Sequence, residues 1–246
     1  MKNNPLKFFY ICLISILPIS SKFRTFLYKL IPNYKLGKNN RIGFLSFIFA
    51  EKLKIYENVN IYSFCLIKSN FCVFKSGVIL KKFVQIKNVD YLFVGNDSVL
   101  NQFVNVFGPN CLAKISKNKL YIGKNVGINN CIMDLVDNIY IGDNVVFAGR
   151  GIQLWTHTFD LGRNRLQGKI RIKDNCYIGS RSIINLGVKI CSNVVLKSGA
   201  IVNNNIIKEG VYGFKDIEKT GEIRKFEDLR FKMLSKIDNK KIFKKL

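Results

Sequence analysis

His157 is the only histidine in the chain, and it lies in the segment QLWTHTFD (153–160) beside the only tryptophan. Imidazole is the side chain whose ordinary pKa allows it to take up and return a proton near neutral pH. His157 is therefore the candidate general base. Asp160 supplies a carboxylate three residues later that could orient the ring, unless it is simply a solvated surface group. Trp155 could stack on a sugar ring or fill the interior of the fold.

A polar segment, LGRNRLQGK (161–169), follows directly and interrupts the pattern described next. A polar loop beside a rigid element is a common place for an acceptor to bind, and a plain connection is the alternative. Arg163 and Arg165 could meet a phosphate on a lipid-linked or nucleotide-linked sugar, because guanidinium groups pair well with phosphate oxygens.

A six-residue spacing organises the chain after this loop. Aliphatic residues recur at every sixth position, at Ile172, Ile178, Ile184, Ile190, Leu196 and Val202. Three residues after each of them, Asn and Gly predominate, at Asn175, Arg181, Gly187, Asn193, Gly199 and Asn205. Asn and Gly enter the left-handed backbone region at low cost. Neither a helical nor a plain strand period explains the pattern, which predicts an internal repeat winding around a prism.

The same spacing recurs upstream, clearly around 122–128 and 141–147 and more faintly from residue 36. The runs IGDNV (141–145), WTHT (155–158) and YIGSRSII (177–184) resemble the hexapeptide-repeat acyltransferases, and in particular sugar O-acetyltransferases of surface-polysaccharide pathways. The resemblance is strong over about a third of the chain. It implies an all-β fold, a left-handed parallel β-helix over residues 36–207. An N-terminal helical segment (1–35) and a C-terminal helical extension (208–246) would flank it, without a second domain.

The resemblance also implies a chemistry. His157 would take the acceptor's proton while the acceptor attacks the thioester of acetyl-CoA, and the protein would be a homotrimer with the donor between subunits. Donor-binding positions implied by the family are small residues next to lysines, at Gly179, Ser180, Lys197, Ser198, Gly199, Ala200 and Lys215. The usual proline is missing from the turn after the last coil, which reads GFKD (213–216).

Three functions are therefore open at the level of sequence. The first is an acetyl-CoA-dependent O-acetyltransferase acting on a sugar hydroxyl in surface polysaccharide or lipopolysaccharide biosynthesis. The second is an N-acetyltransferase of a nucleotide-linked amino sugar. The third is a non-catalytic β-helix that serves as a scaffold or glycan-binding subunit. The intact Thr-His segment favours an enzyme.

Composition limits the partners and the compartment. The chain carries 40 Lys and Arg against 16 Asp and Glu, a formal net charge of +24, which favours anionic partners. The lysines are scattered and no nucleic-acid-binding module is present, so a phosphate-rich donor or an anionic membrane is favoured over nucleic acid. Seven cysteines without a C-x-x-C pair suggest free thiols in a reducing cytoplasm. A single histidine and this spacing do not suit zinc, and we predict no metal site.

The N-terminal apolar run (8–19) is too short for an ordinary transmembrane helix, and no convincing signal-peptidase site follows it. Phe23, Phe26, Leu27 and Leu30 then fall at helical spacing with basic residues between them. This pattern is typical of an interfacial amphipathic helix and equally of a helix packed on the end of the prism. We therefore expect a cytoplasmic protein, with peripheral contact at the inner face of the membrane as one of the two alternatives.

Overall fold

The computed structural model describes residues 5–109, 117–213 and 218–221. Within them lie two helices, α1 (Pro5–Ile16) and α2 (Ser21–Lys29). The first strands are β1 (Tyr34–Leu36), β2 (Arg41–Ile42), β3 (Phe47–Ile55), β4 (Asn60–Ile61), β5 (Leu66–Phe74), β6 (Ile79–Leu80), β7 (Gln85–Val94), β8 (Val99–Leu100), β9 (Asn105–Phe107), β10 (Lys119–Ile122), β11 (Gly127–Ile128) and β12 (Cys131–Asp134). The later strands are β13 (Ile139–Ile141), β14 (Val146–Phe147), β15 (Ile152–Trp155), β16 (His157–Phe159), β17 (Arg165–Gln167), β18 (Ile170–Ile172), β19 (Tyr177–Ile178), β20 (Ile183–Ile184), β21 (Lys189–Ile190), β22 (Val194–Leu196), β23 (Ile201–Val202), β24 (Gly210–Gly213) and β25 (Glu218–Gly221).

The strands form three faces of a prism. Face 1 runs from β2 through β4, β6, β8, β11, β14, β19 and β22 to β24. Face 2 consists of the first halves of β3, β5 and β7, followed by β9, β12, β15, β20 and β23. Face 3 consists of β1, the second halves of β3, β5 and β7, and then β10, β13, β18 and β21. Pairing within each face is parallel, giving a β-solenoid of about 9 turns, and the predicted β-helical fold class is confirmed.

The six-residue spacing has the predicted structural basis. The aliphatic residues at Ile172, Ile178, Ile184, Ile190, Leu196 and Val202 are all buried. At the corners, Asn175, Arg181, Gly187, Asn193 and Gly199 have φ values between 56° and 80°. Asn205 is the exception, because it has no positive φ and its side chain instead accepts a hydrogen bond from the Lys189 N–H at 2.8 Å. Inward aliphatic residues and left-handed corners thus set the coil geometry.

An asparagine ladder stabilises the corner between faces 3 and 1. Each Nδ2 donates to the Oδ1 of the next coil, from Asn125 to Asn144 at 2.9 Å, from Asn144 to Asn175 at 3.0 Å and from Asn175 to Asn193 at 3.2 Å. Asn193 Nδ2 then donates to the Glu209 carboxylate at 3.0 Å. Asn therefore serves these corners in two ways, by its backbone conformation and by its amide hydrogen bonds.

The early coils differ from the later ones, which explains the fainter pattern upstream. β3, β5 and β7 continue from face 2 to face 3 as single strands of nine or ten residues, whereas later coils break there. At the corner between faces 1 and 2, phenylalanine takes the left-handed position at Phe64, Phe83 and Phe103. Their rings stack at centroid distances of 5.2 and 5.3 Å. This stacking between coils offsets the cost of a positive φ at a bulky residue.

The solenoid continues beyond the boundary expected at residue 207. β24 pairs in parallel with β22 and so extends face 1, and β25 pairs antiparallel with β24. Two strands thus lie within the range 208–246, which the sequence suggested was helical. Residues 214–217 and 222–246 of that range lie outside the described part of the chain.

The two helices cover the open end of the first coil. Side chains of α1, α2 and β1 bind backbone groups of the first coil, in β2, in β3 and at Ser46 between them. The Ile42 N–H donates to Thr25 Oγ1 at 3.1 Å, the Ile48 N–H to the Tyr28 hydroxyl at 3.3 Å and the Ala50 N–H to the Tyr34 hydroxyl at 2.8 Å, while Ser15 Oγ donates to the Ser46 carbonyl at 2.9 Å. The cap therefore satisfies an edge that would otherwise be available for pairing with another chain. Among the described helices, none is long and apolar enough to cross a membrane.

Arg24 joins the two helices to the first coil, and its removal should be costly. It is 1 % exposed and donates to the carbonyls of Ile14, Leu17, Ile19 and Ile42 at 3.0, 2.7, 3.1 and 3.1 Å. We expect Arg24→Met to lower the free energy of unfolding by at least about 3 kcal/mol, because the buried carbonyls of Ile14 and Ile42 lose their donor. Denaturant unfolding measures this. The exposed control Lys22→Met should change it by less than about 0.5 kcal/mol, and an equal effect of both changes would contradict this role of Arg24.

Candidate active site

His157 lies at the corner between faces 2 and 3, where the chain leaves the prism. After β15 and Thr156, β16 and β17 form an antiparallel hairpin before the chain rejoins face 3 at β18. In β16, His157 is opposite Gln167 of β17. The polar segment after His157 is therefore a defined hairpin that projects from the corner.

A buried carboxylate from the preceding coil orients the imidazole. Asp134 ends β12 and is the register partner of Trp155, so it lies one coil away from His157. Its Oδ2 is 2.6 Å from His157 Nδ1, and the residue is only 1 % exposed. The same oxygen accepts a hydrogen bond from the Thr156 N–H at 3.2 Å, and Thr156 Oγ1 lies 3.3 Å from it while donating to the Asp134 carbonyl at 2.9 Å. Both partners of the pair are thereby fixed before any substrate binds.

The hydrogen bond to Asp134 determines which nitrogen of the His157 ring can accept a proton. A carboxylate accepts hydrogen bonds and has no proton to donate, so Nδ1 carries the proton in the neutral imidazole. Nε2 then holds the free lone pair, and no group within the described residues binds it. A half-buried imidazole held in this tautomer is the arrangement that general-base catalysis requires.

In the structure the carboxylate that contacts the imidazole belongs to Asp134, and Asp160, which the sequence suggested for this role, binds elsewhere. Asp160 is exposed, and its carboxylate accepts hydrogen bonds from the Asn164 N–H at 2.8 Å and from Asn164 Nδ2 at 3.0 Å. These hydrogen bonds hold the pKa of Asp160 below its usual value. Asp160 thus shapes the turn of the hairpin, and Asp134 orients the ring. One signal in the sequence could have found it, an aspartate within the apolar run CIMDLV (131–136).

An open groove of about 600 Å³ adjoins the imidazole. Its lining spans three coils at one corner of the prism and comprises Trp155, His157, Thr158, Asn185, Leu186 and Asn203. Asn185 Nδ2 donates to Asn203 Oδ1 at 2.5 Å, so the two amides form one polar wall. The half-buried Trp155 donates from Nε1 to Gln153 Oε1 at 2.9 Å and supplies an apolar wall. Amides beside an indole suit a ligand with hydroxyl groups and apolar ring faces.

The structure places the two arginines on the hairpin, and neither lines the groove. Arg163 is exposed at the tip with φ 60°, and Arg165 lies in β17 opposite Phe159. Asn185, Leu186 and Asn203 take their place beside His157, and the sequence did not suggest them. They come from two later coils and reach the site only through the stacking of coils.

The small residues expected to bind the donor lie together at another corner, between faces 1 and 2. Ser180 Oγ donates to Ser198 Oγ at 3.1 Å, and Gly199 has φ 80°. A Cβ at Gly179 would come within 2.5 Å of the Ser198 nitrogen, so only glycine fits there. These residues form a small-residue strip, defined here as Gly179, Ser180, Ser198 and Gly199. Ala200 is buried beside it and Lys197 is exposed, while Lys215 lies outside the described residues.

One face of the prism separates the small-residue strip from His157 within a single chain. Along the chain, the residues of the strip come just before strands of face 2, whereas Asp134 and His157 lie at or just after the end of face 2 strands. The structure therefore places the Asp134–His157 pair at one corner and the small-residue strip at another. A single chain does not bring these two sites together.

Burial disfavours the thiolate form of several cysteines. Burial raises the pKa of Cys176 to about 12 and that of Cys65 to about 11, and it raises the pKa values of Cys72 and Cys131 further. No thiol of the described part of the chain lines the groove, and Cys111 lies outside it. Across residues 5–109 and 117–213, no three His, Cys, Asp or Glu side chains cluster as a metal site.

No protein-family model matches the chain. Solved structures similar to it include a hexapeptide-repeat-containing acetyltransferase from Vibrio cholerae, with 15 % identity over 89 % of each chain and a TM-score of 0.41. They also include the polySia-specific acetyltransferase NeuO, with 17 % identity over 77 % of this chain and 78 % of that one and a TM-score of 0.43. A variant of AntD, an N-acyltransferase from Bacillus cereus in complex with dTDP-4-amino-4,6-dideoxyglucose and coenzyme A, is 15 % identical over 82 % of this chain and 91 % of that one, with a TM-score of 0.39.

These structural neighbours are two acetyltransferases, one of them containing hexapeptide repeats, and an N-acyltransferase. Their identities are low and each TM-score is below 0.5.

Proposed function

We propose that this protein is an acyltransferase that moves the acetyl group of acetyl-CoA onto a sugar hydroxyl in the assembly of a surface polysaccharide or lipopolysaccharide. The observation that carries the proposal is the Asp134–His157 pair beside an open groove with one amide wall and one apolar wall. His157 Nε2 takes the proton of the acceptor hydroxyl while that oxygen attacks the thioester carbonyl. When the C–S bond breaks, the imidazolium returns the proton to the departing thiolate of CoA.

The groove supports a sugar as the acceptor. Asn185 and Asn203 supply donors and acceptors within one coil spacing of each other, which matches the closely spaced hydroxyls of a pyranose. Trp155 and Leu186 supply the apolar contact that a sugar's ring face requires. The groove is open to solvent, so an acceptor longer than one sugar can enter it.

The donor is proposed to bind along the small-residue strip. Side chains no larger than serine allow the pantetheine arm to approach backbone N–H and C=O groups, and Lys197 lies at the same corner as a candidate for the CoA phosphates. Free thiols that burial keeps protonated agree with a reducing compartment, and the donor is made in the cytoplasm, so we propose a cytoplasmic enzyme.

Because the strip and His157 lie at different corners, we propose that a neighbouring chain completes the site in a homotrimer. The corner that carries the strip also exposes the stacked column of Phe64, Phe83 and Phe103, each between 40 and 51 % exposed. Face-to-face stacking directs ring edges outward, which suits packing against protein. Light scattering of the free protein should give three times the chain mass. A monomeric mass with full activity would refute the trimer.

The function is tested with acetyl-CoA labelled in its acetyl group and a panel of sugar acceptors. We expect label on a neutral or acidic glycan, released by mild alkali because an oxygen ester hydrolyses readily. Alkali-stable label on a nucleotide-linked amino sugar would instead establish N-acetylation. Absence of transfer to every acceptor, together with absence of CoA binding, would leave the scaffold or glycan-binding function.

A further inference from the structure

The N-terminal helices expose an unusual amount of apolar surface. On α1, Leu6, Phe9, Leu13 and Ile16 lie along one side at helical spacing. On and after α2, Phe23, Phe26 and Leu30 repeat the arrangement. These seven residues, here called the apolar cap surface, are between 46 and 81 % exposed. A surface helix normally turns its apolar side inward, and an exposed apolar surface of this kind marks a site of interaction.

The helices cannot rotate to hide the apolar cap surface, because their opposite sides already pack on the solenoid. Ile11, Ile14 and Tyr28 are 0 to 2 % exposed, and Arg24 fixes both helices by its hydrogen bonds to carbonyls on α1, the linker and β2. The helices thus pack on the end of the prism and also turn an apolar side outward. The sequence had suggested a packed helix and an interfacial helix as alternatives.

The charges around this surface identify the partner. Residues 1–50 contain no Asp or Glu, and Glu51 is the first acidic residue of the chain. Lys22 and Lys29 are exposed on α2, between and beside the aromatic residues of the apolar cap surface. A second copy docked on the same surface would bring these cations together. An anionic lipid surface offers both an apolar layer for the side chains and phosphates for the lysines.

We propose that the N-terminal cap docks this protein on the surface of an anionic lipid bilayer. The apolar cap surface inserts at the boundary between headgroups and acyl chains, and Lys22 and Lys29 lie among the lipid phosphates. With 12 and 9 residues, α1 and α2 are too short to span the bilayer, so both helices lie in its interface. This docking is independent of the proposed acyl transfer.

Vesicle sedimentation of the full chain tests the proposal, with vesicles of phosphatidylcholine alone or mixed with phosphatidylglycerol. Wild type should sediment with the mixed vesicles, and less at high salt. The double variant Phe23→Ser/Phe26→Ser should bind at least about tenfold more weakly, because it removes two inserted side chains. Lys22→Glu/Lys29→Glu should lose a similar amount of affinity for mixed vesicles and little affinity for vesicles of phosphatidylcholine alone.

Matched controls lie elsewhere on the solenoid. Ile207→Ser removes a side chain that is 78 % exposed beyond the last hexads, and Lys189→Glu reverses an exposed charge on face 3. Both should bind mixed vesicles like wild type. Failure of wild type to bind, or equal losses in cap and control variants, would overturn the proposal. If Phe23→Ser/Phe26→Ser instead lowers the mass of the lipid-free protein, the partner is a second copy and lipid docking is wrong.

Discussion

Replacing His157 with alanine is expected to lower the turnover of acyl transfer by at least about a hundredfold while acetyl-CoA binding stays close to wild type. The variant removes the only imidazole of the chain, and no other described side chain of the groove can take up a proton in its place. Steady-state kinetics and calorimetric titration with acetyl-CoA measure the two quantities.

Stability separates this role from a purely structural one. In His157→Ala the Asp134 carboxylate keeps the hydrogen bond from the Thr156 N–H, so the free energy of unfolding should fall by only about 1 kcal/mol. Phe159→Ala is the matched control, because Phe159 contacts the imidazole edge-on at 5.6 Å but carries no titratable group. Near-normal turnover in the folded His157→Ala protein would end the proposed mechanism.

Asp134→Asn should lower turnover almost as much as His157→Ala does, although it only replaces one carboxylate oxygen with an amide nitrogen. An amide can donate to Nδ1, which favours the tautomer with the proton on Nε2 and removes the lone pair that accepts the acceptor's proton. We expect turnover to fall by about 10²- to 10⁴-fold with little change in the KM for acetyl-CoA. Rate measurements on single and double variants test this, because Asp134→Asn should add little once His157 is already alanine.

Asp160→Asn is the control that distinguishes the two carboxylates. It should retain near-wild-type turnover, because Asp160 binds Asn164 and does not contact the imidazole. Loss of activity in Asp160→Asn but not in Asp134→Asn would mean that a different arrangement of the hairpin operates during catalysis.

The repeat was predictable where its determinants are local. An inward aliphatic residue and a left-handed corner recur within six residues from Ile172 to Val202, so each coil is specified by its own segment. His157 was predictable because it is unique. By contrast, Asp134 lies 23 residues before His157, and their contact depends on the register between β12 and β15. The groove residues Asn185 and Asn203 depend on stacking in the same way.

The corners at Phe64, Phe83 and Phe103 show a second reason why sequence patterns fail. Each residue alone is a poor choice for a positive φ. The stack of three rings supplies the compensating energy, and that stack exists only after the coils have assembled. The long strands β3 and β5 were missed for a related reason, because they turn between faces without a left-handed Asn or Gly, whereas β7 turns at Asn88 with φ 56°.

If the cap docks on a bilayer, the number of coils between the cap and His157 sets the distance of the base from the membrane surface. On face 2, five strand spacings separate β3 from β15, which places the base roughly 24 Å along the axis from the first coil. With the cap on a bilayer and the solenoid upright, a sugar at the lipid phosphate would lie far below the groove. The acceptor hydroxyl would belong to a residue several sugars out along a membrane-linked glycan. Adding or removing one coil would then shift the modified position along that glycan by about 4.8 Å.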